Sequence, residues 1–379
     1  MNLLFISNDP LMFEEGSAVR MRMRAYADEA AKTGGTLHIF SHAKKAVRIA
    51  DGPLMLHGYA GNRLGALRAM RRDALALVRA ASIAVVSAQD PFEHGWVALH
   101  AVRGTDAKLH IQMHTDAFSP WFVRSGIARS PRVRVPMLNR VRLRIADRVL
   151  PQAHGIRAVS QRVKDSLIAR YGGKLAPIMV LPIHVDTEVP PKVPLPEPAL
   201  PFTLISVSRL EPEKRIEDIL YALAGLKDQY PALGLMIAGS GSERGRLESL
   251  AKRLKIESRV RFLGARADAR GLMQSAQAYI QASAYEGYGI TLIEAALARV
   301  PIITTDVGIV GEVFKGNADV LAAPPGDPAQ LLRNISMLME DSALRISLPM
   351  RAEAAANEHL AAQRSEPADI IADIMSLAV

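Results

Sequence analysis

The segment EGYGITLIE, Glu286 to Glu294, sets two carboxylates around two glycines, between an apolar run and helix formers that continue to Arg299. Gly287 and Gly289 permit a tight turn and a close approach of the backbone to a ligand. The amides of Gly289, Ile290 and Thr291 then point out of a helix amino terminus, an arrangement suited to a pyrophosphate. Glu294, about one turn into that helix, is placed to accept hydrogen bonds from a ribose diol, and Glu286 can reach a sugar hydroxyl beyond the phosphates. Spacing alone leaves Glu294 equally open to reading as a first-turn acid that complements the helix dipole. Upstream, SVSRLEPEKRIED (Ser206 to Asp218) carries Arg209 and Lys214 five residues apart. Two such cations can neutralise charge developing on a departing diphosphate, or they can belong to a surface ion-pair loop with Glu211 and Glu213. In AGSGSERGRLE (Ala238 to Glu248), Gly239, Gly241 and Gly245 miss the dinucleotide-binding spacing by one residue, so that signal is weak.

Other chemistries are excluded by composition. The chain has no cysteine, which removes disulfides, iron-sulfur clusters and thiol nucleophiles and fits a reducing compartment. Its ten histidines show no HExxH spacing, no GxSxG elbow occurs, and no Asp-x-Asp pair is present to hold a divalent ion against a diphosphate. Neither a metal nor a resident cofactor is therefore expected. No apolar run approaches the ~18 residues of a membrane span, and the amino terminus lacks the basic and apolar regions of a signal peptide. The expectation is a cytoplasmic protein.

The elements that must position these loops follow from periodicity. Short apolar runs at Leu3 to Ser7, Leu37 to Phe40, Ile83 to Ser87, Leu109 to Gln112, Arg148 to Leu150, Gly155 to Ala158 and Met179 to Leu181 read as strands with helical patterns between several of them. Such alternation implies a parallel sheet with crossover helices. Pro190 to Pro201 holds six prolines in twelve residues, which excludes helix and central strand and marks a linker. Beyond it the pattern restarts, with strands at Phe202 to Val207, Gly234 to Ala238, Val260 to Phe262, Ala276 to Ile280 and Pro301 to Thr304 and a helix opening near Ile290. The expected fold is α/β, with two Rossmann-like, doubly wound parallel-sheet domains facing a cleft: residues 1–188, a linker over 189–201, and residues 202–364. A terminal helix within 365–379 is expected to return to the first domain.

Charge is unevenly spread. Residues 1–180 carry 27 basic and 13 acidic side chains, and the remainder carries 20 and 25. Between Arg124 and Arg148 lie eight arginines (Arg124, Arg129, Arg132, Arg134, Arg140, Arg142, Arg144 and Arg148) against the single acid Asp147. This stretch could meet an anionic membrane surface or a phosphorylated acceptor, or it could be a solvated helix face. Nucleic acid is disfavoured, because no aromatic side chains are interleaved for base stacking.

Taken together the loops of the second half resemble the retaining glycosyltransferases of family 4, which have the two-domain GT-B fold. The match runs from Ser206 to Asp341. It includes the two-glutamate motif with seven residues between (Glu286 and Glu294), the Arg209 and Lys214 pair, the GSG loop, FLG (Phe262 to Gly264), TDVGIVGEV (Thr305 to Val313) and PPGDP (Pro324 to Pro328). One departure is that Gly308 is followed by Ile309 where the family commonly has a second glycine. In the first half, SAQDPFEHG (Ser87 to Gly95) and HIQMHTDAFSP (His110 to Pro120) look like segments of bacterial members.

The resemblance implies a metal-independent, retaining transfer of a sugar from a nucleoside-diphosphate sugar, the co-substrate, to a saccharide or lipid-linked saccharide in glycan biosynthesis. It implies a catalytic set of Arg209, Lys214, Glu286 and His114, with the donor held by Gly239, Gly264, Gly289, Ile290, Thr291 and Glu294. Gly16, Asp90 and Asp116 are implied on the acceptor side, and peripheral attachment to the inner face of the cell membrane accompanies a lipid-linked acceptor. Two alternatives stay open: a phosphorylase or synthase acting on a soluble small sugar, and a noncatalytic sugar-nucleotide-binding protein.

Overall fold

The computed structural model describes residues 1–124, 135–362 and 367–378. These fall into two units, one of residues 1–117, 135–184 and 367–378, the other of residues 118–124 and 185–362. Residues 118–124 thus belong to the second unit although they follow a strand of the first.

The first unit is built on an eight-stranded sheet of order β3-β4-β2-β1-β5-β6-β7-β8. Its strands are β1 (Asn2–Ile6), β2 (Leu37–His42), β3 (Val47–Asp51), β4 (Leu54–Tyr59), β5 (Ile83–Ala88), β6 (Lys108–Met113), β7 (Gly155–Ala158) and β8 (Ile178–Val180). All pairings are parallel except β3 with β4, an edge hairpin that the sequence expectation lacked. Its alternation is visible as half-buried and exposed positions in VRIAD, too short and polar a run to stand out as a strand. Central strands are buried on both faces, as crossover helices require; Leu3, Phe5, Leu37, Ile39 and Val85 are fully covered. Ile370, Ile371 and Ile374 of the terminal helix Pro367–Ser376 join that same core.

One expected strand is corrected. Arg148 to Leu150 is not extended but closes the helix Met137–Val149, which buries Asn139, Ala146 and Val149 and passes into a tight turn at Leu150–Gln152. The alternation of Arg with apolar residues there follows a helical period, with one face inward.

The second unit carries a six-stranded, all-parallel sheet of order β11-β10-β9-β12-β13-β14. Its strands are β9 (Phe202–Val207), β10 (Leu233–Ala238), β11 (Val260–Gly264), β12 (Ala278–Ile280), β13 (Ile302–Thr305) and β14 (Leu321–Ala323). Every residue of β10 is buried. Its flanking helices, such as Ile216–Leu226 and Pro328–Glu340, turn apolar faces inward through Ile219, Leu223, Leu331 and Ile335.

In each sheet the order reverses at the first strand of the unit, between β1 and β5 and between β9 and β12. Loops after these strands leave toward opposite faces, and the opening at their carboxyl ends is where open α/β sheets bind ligands.

Candidate active site

The loops after β9 and β12 carry the residues that the sequence singled out. Lys214 Nζ donates to Glu286 Oε1 at 2.5 Å, and both side chains are only 15% exposed. Ser283 Oγ donates to the same oxygen at 2.7 Å. Backbone ties support this pairing: the Ala284 amide donates to Glu213 O at 2.8 Å, and Thr305 Oγ1 at the end of β13 donates to Ser283 O at 2.6 Å. Arg209 lies in the same loop as Lys214 but is 70% exposed and pairs with Glu213 at 2.8 Å. The structure therefore joins Lys214 to Glu286 and leaves Arg209 in the local ion pair that its sequence also allowed.

The helix Ile290–Leu297 begins at Gly289, whose φ of 103° is the left-handed conformation that glycine tolerates. Leu292 N donates to Gly289 O at 2.9 Å. The first amides of a helix have no intrahelical acceptor, so this terminus is a ready anion site. Thr291 Oγ1 is taken by Gln281 Oε1 at 3.0 Å, leaving that residue's amide as its contribution. The Glu294 carboxylate hydrogen-bonds none of the described residues, and Arg270 Nε lies 3.9 Å from it. Burial pushes its carboxyl above the usual range, against the pull of Arg270.

Gly308 explains how the next loop closes on the motif. Its φ is 58°, and a Cβ there would lie 2.2 Å from Tyr288 O. The following Ile309 donates its amide to Tyr288 O at 3.0 Å and buries its side chain completely, so the position where relatives commonly carry a second glycine is a packing position here.

The GSG loop is fastened to the loop after β9. A Cβ on Gly239 would sit 1.8 Å from Ser208 O. The Gly239 amide donates to Gly264 O at 2.7 Å, and Glu211 accepts from both the amide and the hydroxyl of Ser242. That pair of bonds holds the Glu211 carboxyl below its ordinary range, the hydroxyl contributing most. Gly239 is thus required by close backbone approach, and Gly264 by its left-handed φ of 72°.

Two aromatic side chains that the sequence did not single out brace this site. Trp121 stacks on the Arg215 guanidinium at 5.0 Å and packs so closely on Gly326 that a Cβ there would lie 2.7 Å from the ring. Phe122 meets Tyr285 edge to face at 5.4 Å. Arg215 and Tyr285 are the chain neighbours of Lys214 and Glu286, so the helix Pro120–Arg124 grips both loops. The clue in the sequence is the adjacency of Trp121 and Phe122 in a chain with two tryptophans.

In the first unit, Ser7 Oγ donates to Gln89 Oε1 at 2.6 Å across the switch point between β1 and β5. Asp90 follows β5, accepts from the Phe92 amide at 2.7 Å and pairs with His94 Nδ1. Burial works against its ionisation, but the His94 imidazole together with the amides of Phe92 and His94 outweighs it and holds the carboxyl below its ordinary range. His114 follows β6, and its Nε2 lies 3.2 Å from Gln112 Oε1. Burial, with the charge of Arg157 adding to it, pushes the imidazole down to about 3. Asp116 accepts from Ser166 Oγ at 2.8 Å, and Gly16 is exposed with a φ of 75°. Asp116 lies on the β6 side of the sheet, two positions from His114 in sequence, whereas Gly16 lies after β1.

Of the arginine-rich stretch, Arg129, Arg132 and Arg134 lie outside the described residues. Arg140, Arg144 and Arg148 are exposed on the helix Met137–Val149, beside Met137, Leu138 and Val141, which are 73%, 55% and 41% exposed. Arg142 turns away instead, donating to Glu93 at 3.1 Å. No helix of the described residues is long and apolar enough to cross a membrane. Among the described residues no cluster of three or more His, Asp or Glu is placed to hold a metal ion.

Two open α/β sheets with their chemistry-bearing loops at the switch points define the GT-B fold. The chain belongs to glycosyltransferase family 4: the family model "Glycosyltransferase Family 4" matches residues 19–189, and "Glycosyl transferases group 1" matches residues 192–358. Among curated proteins, glycogen synthase of Mycobacterium tuberculosis is 29% identical over 186 residues, 48% of this chain and 45% of that protein. The chain thus aligns with a little under half the length of that relative. Among solved structures, sucrose-phosphate synthase from Thermosynechococcus elongatus superimposes with a TM-score of 0.77 at 18% identity, over 94% of both chains. The Anabaena protein HepE, solved in complex with UDP-glucose, gives a TM-score of 0.70 at 20% identity over 99% of both chains. These two likenesses are of fold.

Proposed function

We propose that this chain transfers a sugar from a nucleoside-diphosphate sugar to a hydroxyl of a saccharide or lipid-linked saccharide, with retention of configuration and without a metal ion. The observation that carries the reading is the Lys214 and Glu286 pair, set beside the amino terminus of the helix Ile290–Leu297 with Glu294 one turn inside it. A diphosphate at that terminus receives the amides of Ile290 and Thr291 and the dipole of the helix. Glu294, whose carboxylate hydrogen-bonds none of the described residues, accepts from the ribose diol. Glu286 keeps Oε2 available for a sugar hydroxyl while Lys214 and Ser283 hold Oε1.

The bond between the anomeric carbon and the bridging phosphate oxygen breaks, and the acceptor oxygen bonds that carbon on the same face. The acceptor proton passes to the departing diphosphate oxygen. Negative charge that grows on this oxygen is met by Lys214, by Arg209 once it leaves Glu213, and by the helix terminus, so preorganised electrostatics supply much of the rate. That HepE was solved with UDP-glucose supports a nucleotide-sugar donor. The exposed Met137, Leu138 and Val141 beside Arg140, Arg144 and Arg148 support an acceptor held at an anionic lipid surface.

The experiment is a thermal-shift panel of nucleoside diphosphates and nucleotide sugars, since a ligand that binds only the native state raises Tm. Stabilisation by at least one nucleoside diphosphate, unchanged by EDTA, is expected. A flat response to the whole panel would contradict the reading.

A further inference from the structure

Beneath His114 the first unit buries a chain of hydrogen bonds whose direction is fixed at its Arg157 end. Arg157, on β7 and 1% exposed, donates through Nε to Leu181 O at 2.9 Å, through Nη2 to Pro182 O at 2.7 Å and through Nη1 to Gln112 Oε1 at 3.0 Å. A guanidinium only donates, so the Gln112 atom that faces it is the carboxamide oxygen. The Gln112 amide nitrogen then donates to Ser87 Oγ at 2.9 Å. At the far end Asp373 Oδ2 lies 3.5 Å from His110 Nε2, which favours a proton on that nitrogen. His110 Nδ1 is left to accept from Ser87 Oγ at 2.8 Å. Gln112, Ser87 and His110 are all buried, and Arg157 sets the orientation of the Gln112 carboxamide.

The oxygen of Gln112 that Arg157 fixes is the one that lies 3.2 Å from His114 Nε2. Because that oxygen only accepts, Nε2 must carry a proton. A second proton, on Nδ1, would create an imidazolium close to the Arg157 charge in a poorly solvated place. His114 Nδ1 hydrogen-bonds none of the described residues, and the side chain is partly exposed.

We infer that Arg157 and Gln112 are positioning residues that lock His114 as its Nε2–H tautomer, so that its Nδ1 lone pair accepts a hydrogen bond from a hydroxyl of the sugar substrate. The choice of a sugar hydroxyl rests on the proposed function; the locked tautomer does not. His114 is then an acceptor and not a proton donor to the leaving group. Burial and the Arg157 charge, which hold the ring far below its ordinary basicity, act in the same direction.

The test has a spectroscopic arm and a kinetic arm. Nitrogen-15 NMR of the full chain labelled in histidine, with His114 assigned by its loss in His114→Asn, should show a protonated Nε2 and a bare Nδ1 at about pH 7. Gln112→Glu, which keeps an acceptor for both partners, should retain that tautomer, and Gln112→Leu should lose the preference. An Nδ1–H tautomer or an imidazolium in the wild-type chain overturns the inference, and so does an unchanged tautomer in a folded Gln112→Leu. If Gln112→Leu does not fold, the wild-type and Gln112→Glu spectra decide.

In the kinetic arm, asparagine sets its oxygen near the place of Nδ1 and glutamine sets its polar end near Nε2. His114→Asn should retain about tenfold more kcat/KM than His114→Ala, the scale of one hydrogen bond, while His114→Gln should match alanine. Asparagine no better than alanine overturns the acceptor role. If the wild-type chain transfers no sugar, the proposed function fails, and the NMR arm still decides the positioning by Arg157 and Gln112.

Discussion

Lys214 and Glu286 come from loops on the two sides of the second sheet's switch point, and their side chains meet at 2.5 Å. The pair holds a cation where a phosphate is expected to depart and a carboxylate where a sugar is expected to sit. Lys214→Ala should lower kcat by about a hundredfold to a thousandfold, as removal of one preorganised electrostatic group does elsewhere. Arg209→Ala should also lower turnover, but with Tm almost unchanged, because exposed ion pairs such as Arg209 with Glu213 contribute about 0–1 kcal/mol. Steady-state kinetics with a donor, read beside melting curves, check both. Wild-type turnover in either variant would remove that residue from the leaving-group role.

Glu294 carries a cost of burial that a ligand would recover. Its carboxyl is raised in the folded chain, so the native state binds the proton more tightly than the unfolded chain does, and stability falls as pH rises through that range. Glu294→Gln should therefore raise Tm of the ligand-free protein at neutral pH, with the gain vanishing below about pH 4, where the unfolded carboxyl is protonated too. The same variant should weaken binding of a free nucleoside diphosphate in calorimetry. By contrast Glu286→Ala should impair binding of the intact donor and spare the free nucleotide. Equal losses for both ligands in both variants would show that this division of labour is wrong.

Two glycines with different surroundings separate steric need from backbone conformation. Gly239→Ala would drive a methyl against Ser208 O, 1.8 Å from the ideal Cβ, and should cost more than about 3 kcal/mol in urea unfolding or prevent folding. Gly264 has a φ of 72° with its nearest neighbour 3.7 Å from the Cβ position. Gly264→Ala should therefore cost only about 1–2 kcal/mol, the price of the left-handed conformation. Comparable losses at the two positions would contradict the close approach of the loops.

The second unit was readable because its signals are local. Phe202 to Val207 and the helix opening at Ile290 stand where apolar runs and Gly289 put them. The strand expected at Arg148 to Leu150 failed because three apolar and basic residues fit the last turn of an amphipathic helix as well as an extended run. The pairing of Lys214 with Glu286 spans 72 residues, and the buried chain from Arg157 through Gln112 to Asp373 joins β6, β7 and the terminal helix. No periodicity reports such contacts, since the partners lie far apart in sequence. Arg142 belongs to the arginine-rich stretch, yet Glu93, 49 positions away, draws it inward.

The helix Met137–Val149 presents Arg140, Arg144 and Arg148 beside exposed Met137, Leu138 and Val141, a combination that suits an anionic interface at about 1 kcal/mol per engaged cation. Sedimentation with anionic vesicles should pull the protein down at low salt, and neutral vesicles should not. Arg140→Glu with Arg144→Glu should abolish that binding, and Leu138→Ser should weaken it at all salt concentrations. Binding that is absent on anionic vesicles, or indifferent to lipid charge, would return these arginines to a solvated face.

Proton NMR of the anomeric signals during turnover tests retaining, metal-independent sugar transfer most directly. The wild-type chain is incubated in EDTA with each stabilising nucleotide sugar, and the first product formed is observed before mutarotation. The expected product has the anomeric configuration of the donor and forms at the same rate as without chelator. An inverted product, or turnover that stops in EDTA and returns on adding a divalent ion, would contradict it.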